Sequence, residues 1–402
     1  MRVVVAAAGT GGHINPGIAI ANKIMEKDPG SKIIFIGTNR GLENDLVPRA
    51  GYELKQIESY GISRSLTLKN IKRLFKTIAS IGQAKKILKE FKPNIVIGTG
   101  GYICVSVLVA AQKLHIPYII HESNVLPGVA TKLLAKKASK VLVGFKEAKE
   151  RLPKGTKVVV TGTPTKVRKL DFTTEEIEHK KEEYGFDKDL PLVLVFGGSQ
   201  GALSINNTMI EIIKKRVKEQ KNISITSKDN NMRTINLNNQ NEYQLMWAPG
   251  QKQFDNVKEE LAKSMIDVDD IDGVKIVPYI YNMEELLNIC DLVVSRSGAM
   301  TITEIEKVGK AAIFIPFPYA AENHQEYNAR ALEKAGCAKV IIDKDLNSQL
   351  LDNEIKDLVK DNNTLKNMDK ISNSLSINNV EDRIYIEIKS VRFIGNLEKP
   401  KF

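Results

Sequence analysis

Cysteine and tryptophan are scarce, and long apolar runs are missing. Three cysteines in 402 residues, Cys104, Cys290 and Cys337, are too few and too scattered for a disulfide framework or a structural zinc site. Each is expected to be a small buried hydrophobe in a reducing compartment. No uninterrupted apolar stretch reaches the ~20 residues that span a bilayer, so membrane contact is expected to be peripheral. The opening MRVVVAAAGTGG has one basic residue and breaks at Gly9, which suits a buried first strand better than a signal peptide. A single Trp and no recognisable binding motif argue against nucleic acid, whose single strands are held by stacking on aromatic rings. DVDD at 267–270 spells Asp-x-Asp but sits in a polar connection away from the glycine loops. Without a convincing carboxylate pair, no metal and no cofactor is expected.

What is present describes a folded protein of two or three domains, with 42% hydrophobic and 27% charged residues. The net charge of +11 is unevenly spread: residues 1–168 hold 28 Lys and Arg against 10 Asp and Glu, or +18, and the remainder carries −7. An anionic partner facing the first half is implied. The densest part, 59–89, contains Arg64, Lys69, Lys72, Arg73, Lys76, Lys85, Lys86 and Lys89 with no acidic residue. Leu68, Ile71, Leu74, Phe75, Ile78 and Ile81 recur there at helical spacing. Two readings stay open for this amphipathic basic helix: a core helix with a solvated back, or a membrane-surface helix.

Short β-branched runs alternate with stretches of helix length: 2–8, 32–38, 94–100, 118–123, 140–145 and 157–163, then again 192–198, 243–249, 274–280, 291–298, 311–317 and 338–343. That rhythm marks βαβ units in parallel sheets, so the fold class is α/β with two Rossmann-like, doubly wound domains. The expected division is 1–167, a linker and first helix at 168–190, 191–375, and a C-terminal segment 376–402 that packs on either domain. Seven Asn in 221–241, without helical or strand period, mark a surface insertion.

Three strand-to-helix turns are rich in glycine. In the first, GTGGHINP (9–16), the turn lacks the spacing of a dinucleotide fingerprint and the Lys of a P-loop. It exposes backbone N–H groups at the positive end of a helix expected from Gly17 to Lys27, where an anionic group can approach. His13 and Asn15 are polar additions that the turn itself does not need. GGSQG (197–201) opens the second domain in the same way, and SRSG (295–298) precedes a helix bearing Thr301 and Glu304. A diphosphate suits helix N-termini converging on one sheet edge, and Glu304 suits a ribose diol.

These turns, with IGTGGY (97–102), HESNVLPG (121–128), GGSQGALSIN (197–206), VPYIYNM (277–283), SRSGAMTITEI (295–305) and NHQEYNA (323–329), make the sequence resemble the MurG family of glycosyltransferase family 28 over nearly its whole length. The resemblance implies the glycosyltransferase B architecture, two Rossmann-like domains facing a cleft, with the lipid acceptor mainly on the first and the sugar nucleotide mainly on the second. It implies an inverting transfer of N-acetylglucosamine from UDP-N-acetylglucosamine to an undecaprenyl-pyrophosphoryl muramyl-pentapeptide in peptidoglycan synthesis. The implied location is peripheral, on the cytoplasmic side of the cell membrane, with cell-wall synthesis proteins as partners.

Residue by residue, the resemblance places Thr10, Gly11 and Gly12 near the donor sugar and diphosphate, Asn124 on the sugar, Ser199 on the phosphates and Ile280 on the uracil through its backbone. Ala299, Met300, Thr301, Ile302, Thr303 and Glu304 line the nucleotide, with Glu304 on the ribose, and Gln325 holds the sugar hydroxyls. Where many relatives read GNPVR, this chain reads GTPTK (162–166), so the phosphate-side cation becomes Lys166, or Arg168 two residues on. His13 is the candidate base for the acceptor hydroxyl; the alternative is that it orients the turn or bonds a phosphate. His121 and Glu122 are divided between structural support and donor contact. Rival readings are another lipid glycosyltransferase, a UDP-N-acetylglucosamine 2-epimerase of similar architecture, and a non-enzymatic nucleotide-binding regulator.

Overall fold

The computed structural model describes residues 1–59, 68–198, 201–228, 242–269 and 271–397. The chain forms two α/β units, the first comprising residues 1–166 and the tail from Ile377, the second residues 167–376.

Unit 1 runs β1 (Arg2–Ala7), α1 (Gly11–Lys27), β2 (Lys32–Gly37), α2 (Glu43–Arg49), β3 (Glu53–Gln56), α3 (Leu68–Phe91), β4 (Ile95–Gly100), α4 (Ile103–Lys113), β5 (Tyr118–Glu122), α5 (Val129–Leu134), β6 (Lys140–Val143) and β7 (Val158–Val160). Its sheet has the order β3-β2-β1-β4-β5-β6-β7, every pair parallel. Alternation along β1 divides the core: Val4 and Ala6 pack on the face carrying α3 and α4, and Val3, Val5 and Ala7 on the face carrying α1. Both faces are covered, so the strand is apolar from Val3 to Ala7. The sequence signals no strand at β3, whose residues ELKQ are mostly exposed; it is an edge strand, where polar side chains meet water and only one flank is paired.

Helix α1 begins at Gly11, six residues before the expected Gly17. Thr10 is extended at the N-cap, and its carbonyl accepts from the N–H groups of His13 and Ile14 at 3.0 and 3.2 Å. Gly11, Gly12 and His13 therefore form the first helical turn, and Pro16 lies inside the helix, where it offers no N–H to the carbonyl of Gly12. In α3, Ala84 and Leu88 are buried in the core and the Ser80 hydroxyl meets that of Ser106 on α4 at 2.6 Å. The C-terminal half of the basic helix is thus a core helix, with Lys86 and Lys89 exposed. Arg64 lies outside the described residues, as do the side chains of Lys69, Lys72, Arg73 and Lys76.

Unit 2 runs α6 (Thr174–Glu183), β8 (Leu192–Phe196), α7 (Leu203–Lys228), β9 (Gln244–Ala248), α8 (Gln251–Ala262), β10 (Val274–Ile276), α9 (Met283–Ile289), β11 (Leu292–Ser295), α10 (Ala299–Val308), β12 (Ala312–Phe314), α11 (His324–Ala335), β13 (Ala338–Val340), α12 (Ser348–Lys360) and α13 (Asn362–Leu375). Its parallel sheet has the order β10-β9-β8-β11-β12-β13. Thr173 and Glu176 close a capping box on α6, and Lys181 reaches Asp291 at 2.8 Å to fasten the helix beside β8. Residues 221–228 of the Asn-rich stretch continue α7 to Lys228, and 229–241 lie outside the described residues.

The tail returns to unit 1 as α14 (Val380–Leu397), which lies against α1. It buries Val380, Ile384, Ile388 and Val391 in the core shared with α1. Around that stripe, Lys140 pairs with Glu387 and bonds Ser390 at 2.8 Å, and Lys23 and Lys27 each reach Asp382 at 3.2 Å.

Two polar side chains at the end of β5 brace the loop that follows. His121 is 1% exposed; its Nε2 donates to the carbonyl of Gly162 at 3.0 Å, and Nδ1 faces the Ser123 hydroxyl at 3.4 Å. Burial lowers its pKa, opposed by the Gly162 carbonyl and the Glu122 charge, so the ring is held neutral. The carboxylate of Glu122 accepts the N–H of Asn124 at 3.1 Å and of Gly128 at 3.0 Å, and the Thr131 hydroxyl at 2.7 Å.

Two measurements test this packing. Ile388 is fully buried, so Ile388→Ala should cost about 2–5 kcal/mol in the urea-unfolding transition of unit 1; a loss within error of zero would mean that α14 does not contribute to that core. For His121, the unfolded ring protonates near pH ~6.5 and the buried ring only at lower pH. Its stabilising contribution is therefore full above that value and lost as pH falls through it toward the depressed native pKa. His121→Gln should flatten the pH dependence of unfolding free energy on the acid side of 6.5, read from urea melts at several pH values. An unchanged slope would show that the imidazole is not held neutral.

Candidate functional site

In unit 1 the strand order reverses between β1 and β4, which opens a crevice beyond their carboxyl ends. The loop after β1, Ala8–Thr10, and the loop after β4, Gly101–Tyr102, meet there. His13 stands in the first turn of α1 with its ring against Gly100, where φ is +125° and a Cβ would overlap the imidazole. Its own carbonyl accepts from the Thr99 hydroxyl at 2.7 Å, and its Nδ1 lies 3.2 Å from the carbonyl oxygen of Ala8. A carbonyl only accepts, so Nδ1 carries the hydrogen. In the neutral ring Nε2 then holds the lone pair, the tautomer a base requires. Thr10 is exposed at the N-cap, its hydroxyl making no capping bond, and Gly11 and Gly12 follow half-buried. Cys104, beside this turn, donates to the carbonyl of Gly100 at 3.2 Å; burial pushes the thiol up to about 12, so it is inert.

Asn124 is half-buried, with its side-chain Nδ2 fixed on Glu122 at 3.1 Å. Glu122 thus gathers four donors from Asn124, Gly128 and Thr131, the bonding of a brace whose acceptor capacity is spent within the loop. His121 is a brace of the same kind. Lys166 is exposed at the end of unit 1. Arg168 is exposed in unit 2, where its backbone N–H donates to Glu284 at 2.9 Å and its guanidinium lies 3.8 Å from the same carboxylate.

In unit 2 the order reverses between β8 and β11. Gly197 and Gly198 leave β8, and Ser199 lies outside the described residues. Beyond β11, Arg296 is buried and anchors the turn: it pairs with Asp343, donates to the carbonyls of Ile315 and Pro316 at 3.0 and 3.1 Å and reaches the Ser204 hydroxyl at 2.9 Å. Ser297 donates to the carbonyl of Gln325 at 2.8 Å, bringing that residue to the head of α10. The side-chain oxygen of Gln325 accepts from the N–H of Phe317 at 3.0 Å, so the NH2 group is the part of its amide left to donate.

Helix α10 starts at an extended Gly298 with no acidic residue in its first turn, leaving the N–H groups of Ala299, Met300 and Thr301 without partners in the helix and favourable to an anion. Ile302 differs: its N–H is bonded to the Gly298 carbonyl at 3.0 Å and its side chain is fully buried. The Thr303 hydroxyl returns to the carbonyl of Ala299 at 2.9 Å. Glu304 lies one turn on, half-buried. Ile280 is buried after β10, which leaves its main chain as the part able to meet a base. Three other histidines stand apart: His115 has φ of +55°, His179 is exposed 3.4 Å from Glu183, and His324 bonds the Ala321 carbonyl at 2.8 Å.

Sequence reasoning missed one polar group at the first crevice. Glu43, fully buried at the start of α2, accepts from the N–H of Gly9 at 2.9 Å. An acidic residue opening a helix reads from sequence as a favourable dipole charge, and nothing in the pattern joins it to a turn 34 residues earlier.

The comparisons with known proteins follow this division. The model of the glycosyltransferase family 28 N-terminal domain matches residues 3–143, and that of the family 28 C-terminal domain matches residues 192–384. A relative from Acetivibrio thermocellus, named as a UDP-N-acetylglucosamine–N-acetylmuramyl-(pentapeptide) pyrophosphoryl-undecaprenol N-acetylglucosamine transferase, is 40% identical over 97% of this chain and 98% of its own. One from Thermoanaerobacter sp. with the same name is 41% identical over 97% of this chain and its full length. The crystal structure of Acinetobacter baumannii MurG superposes with a TM-score of 0.71 at 25% identity, covering 97% of this chain and 99% of the other. With both halves matched by the family's models and nearly full-length relatives at this identity, the chain belongs to glycosyltransferase family 28.

Proposed function

We propose that the protein transfers N-acetylglucosamine from UDP-N-acetylglucosamine to undecaprenyl-pyrophosphoryl-N-acetylmuramyl-pentapeptide, the step that completes the lipid-linked disaccharide of peptidoglycan. The observation that carries the reading is 40% identity to a transferase of that name across 97% of one chain and 98% of the other. In the reaction, a hydroxyl oxygen of the acceptor sugar attacks the anomeric carbon from the side opposite UDP. The new C–O bond forms as the bond to the diphosphate breaks, inverting that centre. The hydroxyl proton passes to His13 Nε2, the nitrogen left with the lone pair when Nδ1–H is engaged by Ala8.

Charge that develops on the departing UDP needs donors already in place. The first-turn N–H groups of α10, at Ala299, Met300 and Thr301, supply them, with Ser199 of the glycine turn and Lys166 or Arg168 as further groups on the phosphates. Glu304 accepts from the ribose hydroxyls, the Ile280 main chain meets the uracil, and the NH2 group of Gln325 donates to sugar hydroxyls. In unit 1, Asn124, Thr10, Gly11 and Gly12 are assigned to the donor sugar. Among the described residues no helix is long and apolar enough to cross a membrane, and residues 1–168 carry +18. These support peripheral attachment to the cytoplasmic face, where basic side chains meet anionic lipid and the acceptor pyrophosphate.

The test is radiolabelled UDP-N-acetylglucosamine with a short-chain acceptor analogue, followed by lipid extraction. Label should enter lipid only when acceptor is present and should continue to do so in EDTA. Conversion of the donor alone into an epimer would replace this reading with an isomerase. His13→Ala should lower kcat by about 10²–10⁴ with UDP affinity nearly kept; if affinity falls along with the rate, His13 serves the phosphate or the turn. Glu304→Ala should raise the donor KM and leave kcat largely intact, since the ribose does not react, and unchanged UDP affinity in a folded variant would remove that assignment.

A further inference from the structure

The amide joining Ala8 to Gly9 is engaged at both ends. On one side its carbonyl oxygen, that of Ala8, accepts Nδ1–H of His13 at 3.2 Å. On the other its N–H, that of Gly9, donates to Oε2 of Glu43 at 2.9 Å. A single planar peptide thus stands between a buried carboxylate and an imidazole. Because the group is conjugated, a negative charge against its N–H draws electron density toward its carbonyl oxygen, and hydrogen bonds in such chains reinforce one another.

Glu43 is held for this role. Its carboxylate is fully buried, and its second oxygen, Oε1, accepts from the Thr38 N–H at 2.9 Å and the Thr38 hydroxyl at 2.6 Å. These donors fix the orientation of the carboxylate. The Gly9 carbonyl is held from the opposite direction by the N–H of Leu42 at 3.2 Å. Clamped between residues 42 and 43, Gly9 has φ of +101°, a conformation open to glycine at no steric cost.

We propose that Glu43 is a positioning residue for His13, acting through the Ala8–Gly9 peptide to keep the imidazole hydrogen on Nδ1 and to stabilise the imidazolium that forms when Nε2 takes the acceptor proton. The charge of Glu43 strengthens the hydrogen bond that holds the ring, and the arrangement differs from a direct carboxylate–histidine pair in having one peptide unit in between. The proposal deepens the reading of His13 as the base and rests on it.

The experiment compares wild type, Glu43→Gln, Glu43→Asp, His13→Ala and the double variant His13→Ala/Glu43→Gln as full-length protein. Donor and acceptor kinetics are read beside 15N NMR of histidine-labelled enzyme, with the His13 resonances identified by their loss in His13→Ala. Glu43→Gln keeps the volume and removes the charge. It should lower kcat about tenfold, the ratio expected when a charge-assisted hydrogen bond becomes a neutral one, with the donor KM unchanged. It should also shift His13 from predominantly Nδ1–H toward a mixture of tautomers. Glu43→Asp keeps the charge but withdraws it by one methylene, and should fall between wild type and Gln in both readouts; it carries the test if the Gln variant does not fold.

In the His13→Ala background, Glu43→Gln should have no further effect on kcat. A raised donor KM with kcat kept, an unmoved tautomer population, or a Glu43 effect of undiminished size without His13 would each overturn the proposal and leave Glu43 as a brace of the turn. If His13→Ala retains its kcat, the base reading itself fails; the tautomer shift then still reports whether Glu43 controls the ring.

Discussion

A parallel strand cannot be joined to its neighbour by a hairpin, so each connection crosses a face of the sheet and all carboxyl ends gather along one edge. Both sheets here are parallel throughout, and each reverses its order once, between β1 and β4 in unit 1 and between β8 and β11 in unit 2. Where crossovers diverge to opposite faces, no helix covers the strand ends. The turns there must be short, open to approach and firmly held. Glycine satisfies the first two demands, and the third falls to the side chains around it.

Those side chains are mostly ionised or fully bonded groups taken out of water. Glu43 braces the turn after β1, Glu122 the loop after β5, and Arg296 with Asp343 the turn after β11. A buried charge of this kind is a poor source of net stability, because its desolvation offsets most of its attraction. Its value lies in direction. A carboxylate with several donors at 2.6–3.1 Å fixes backbone that regular structure does not reach, and removal of one partner leaves the rest buried and uncompensated.

Much of this is legible along the chain and some of it is not. RVVVAAA reads as a central strand because both faces are covered and every position after Arg2 is apolar, whereas ELKQ at β3 has no comparable signal, being an edge paired on one flank. The start of α1 is displaced because glycines suggest a turn, while the extended Thr10 and the packing of Ile14 and Ile18 on the sheet draw Gly11 and Gly12 into the helix. The motifs locate His13, Asn124 and Gln325, since family resemblance carries position. Orientation follows from contacts distant in sequence: the Gln325 amide is turned by Phe317, and the Ala8–Gly9 peptide is gripped by Glu43. The division within 299–304 into first-turn N–H groups without helical partners and a buried Ile302 depends on helix geometry, which gives neighbouring residues unlike surroundings.

The closure of unit 1 by its last helix has a consequence during synthesis. Residues 1–166 leave the ribosome first, yet the apolar stripe of α14 that completes their core is encoded more than 200 residues later, as the Lys140–Glu387 pair illustrates. The face of α1 that receives Val380, Ile384, Ile388 and Val391 therefore emerges as an unfinished surface. It stays so while the whole of unit 2 is translated. At about 5–20 residues per second, that wait lasts for roughly ten to forty seconds, long compared with the folding time of an α/β domain. Unit 2, contiguous in sequence, has no such delay, so the order of translation and the order of completion are reversed in this chain.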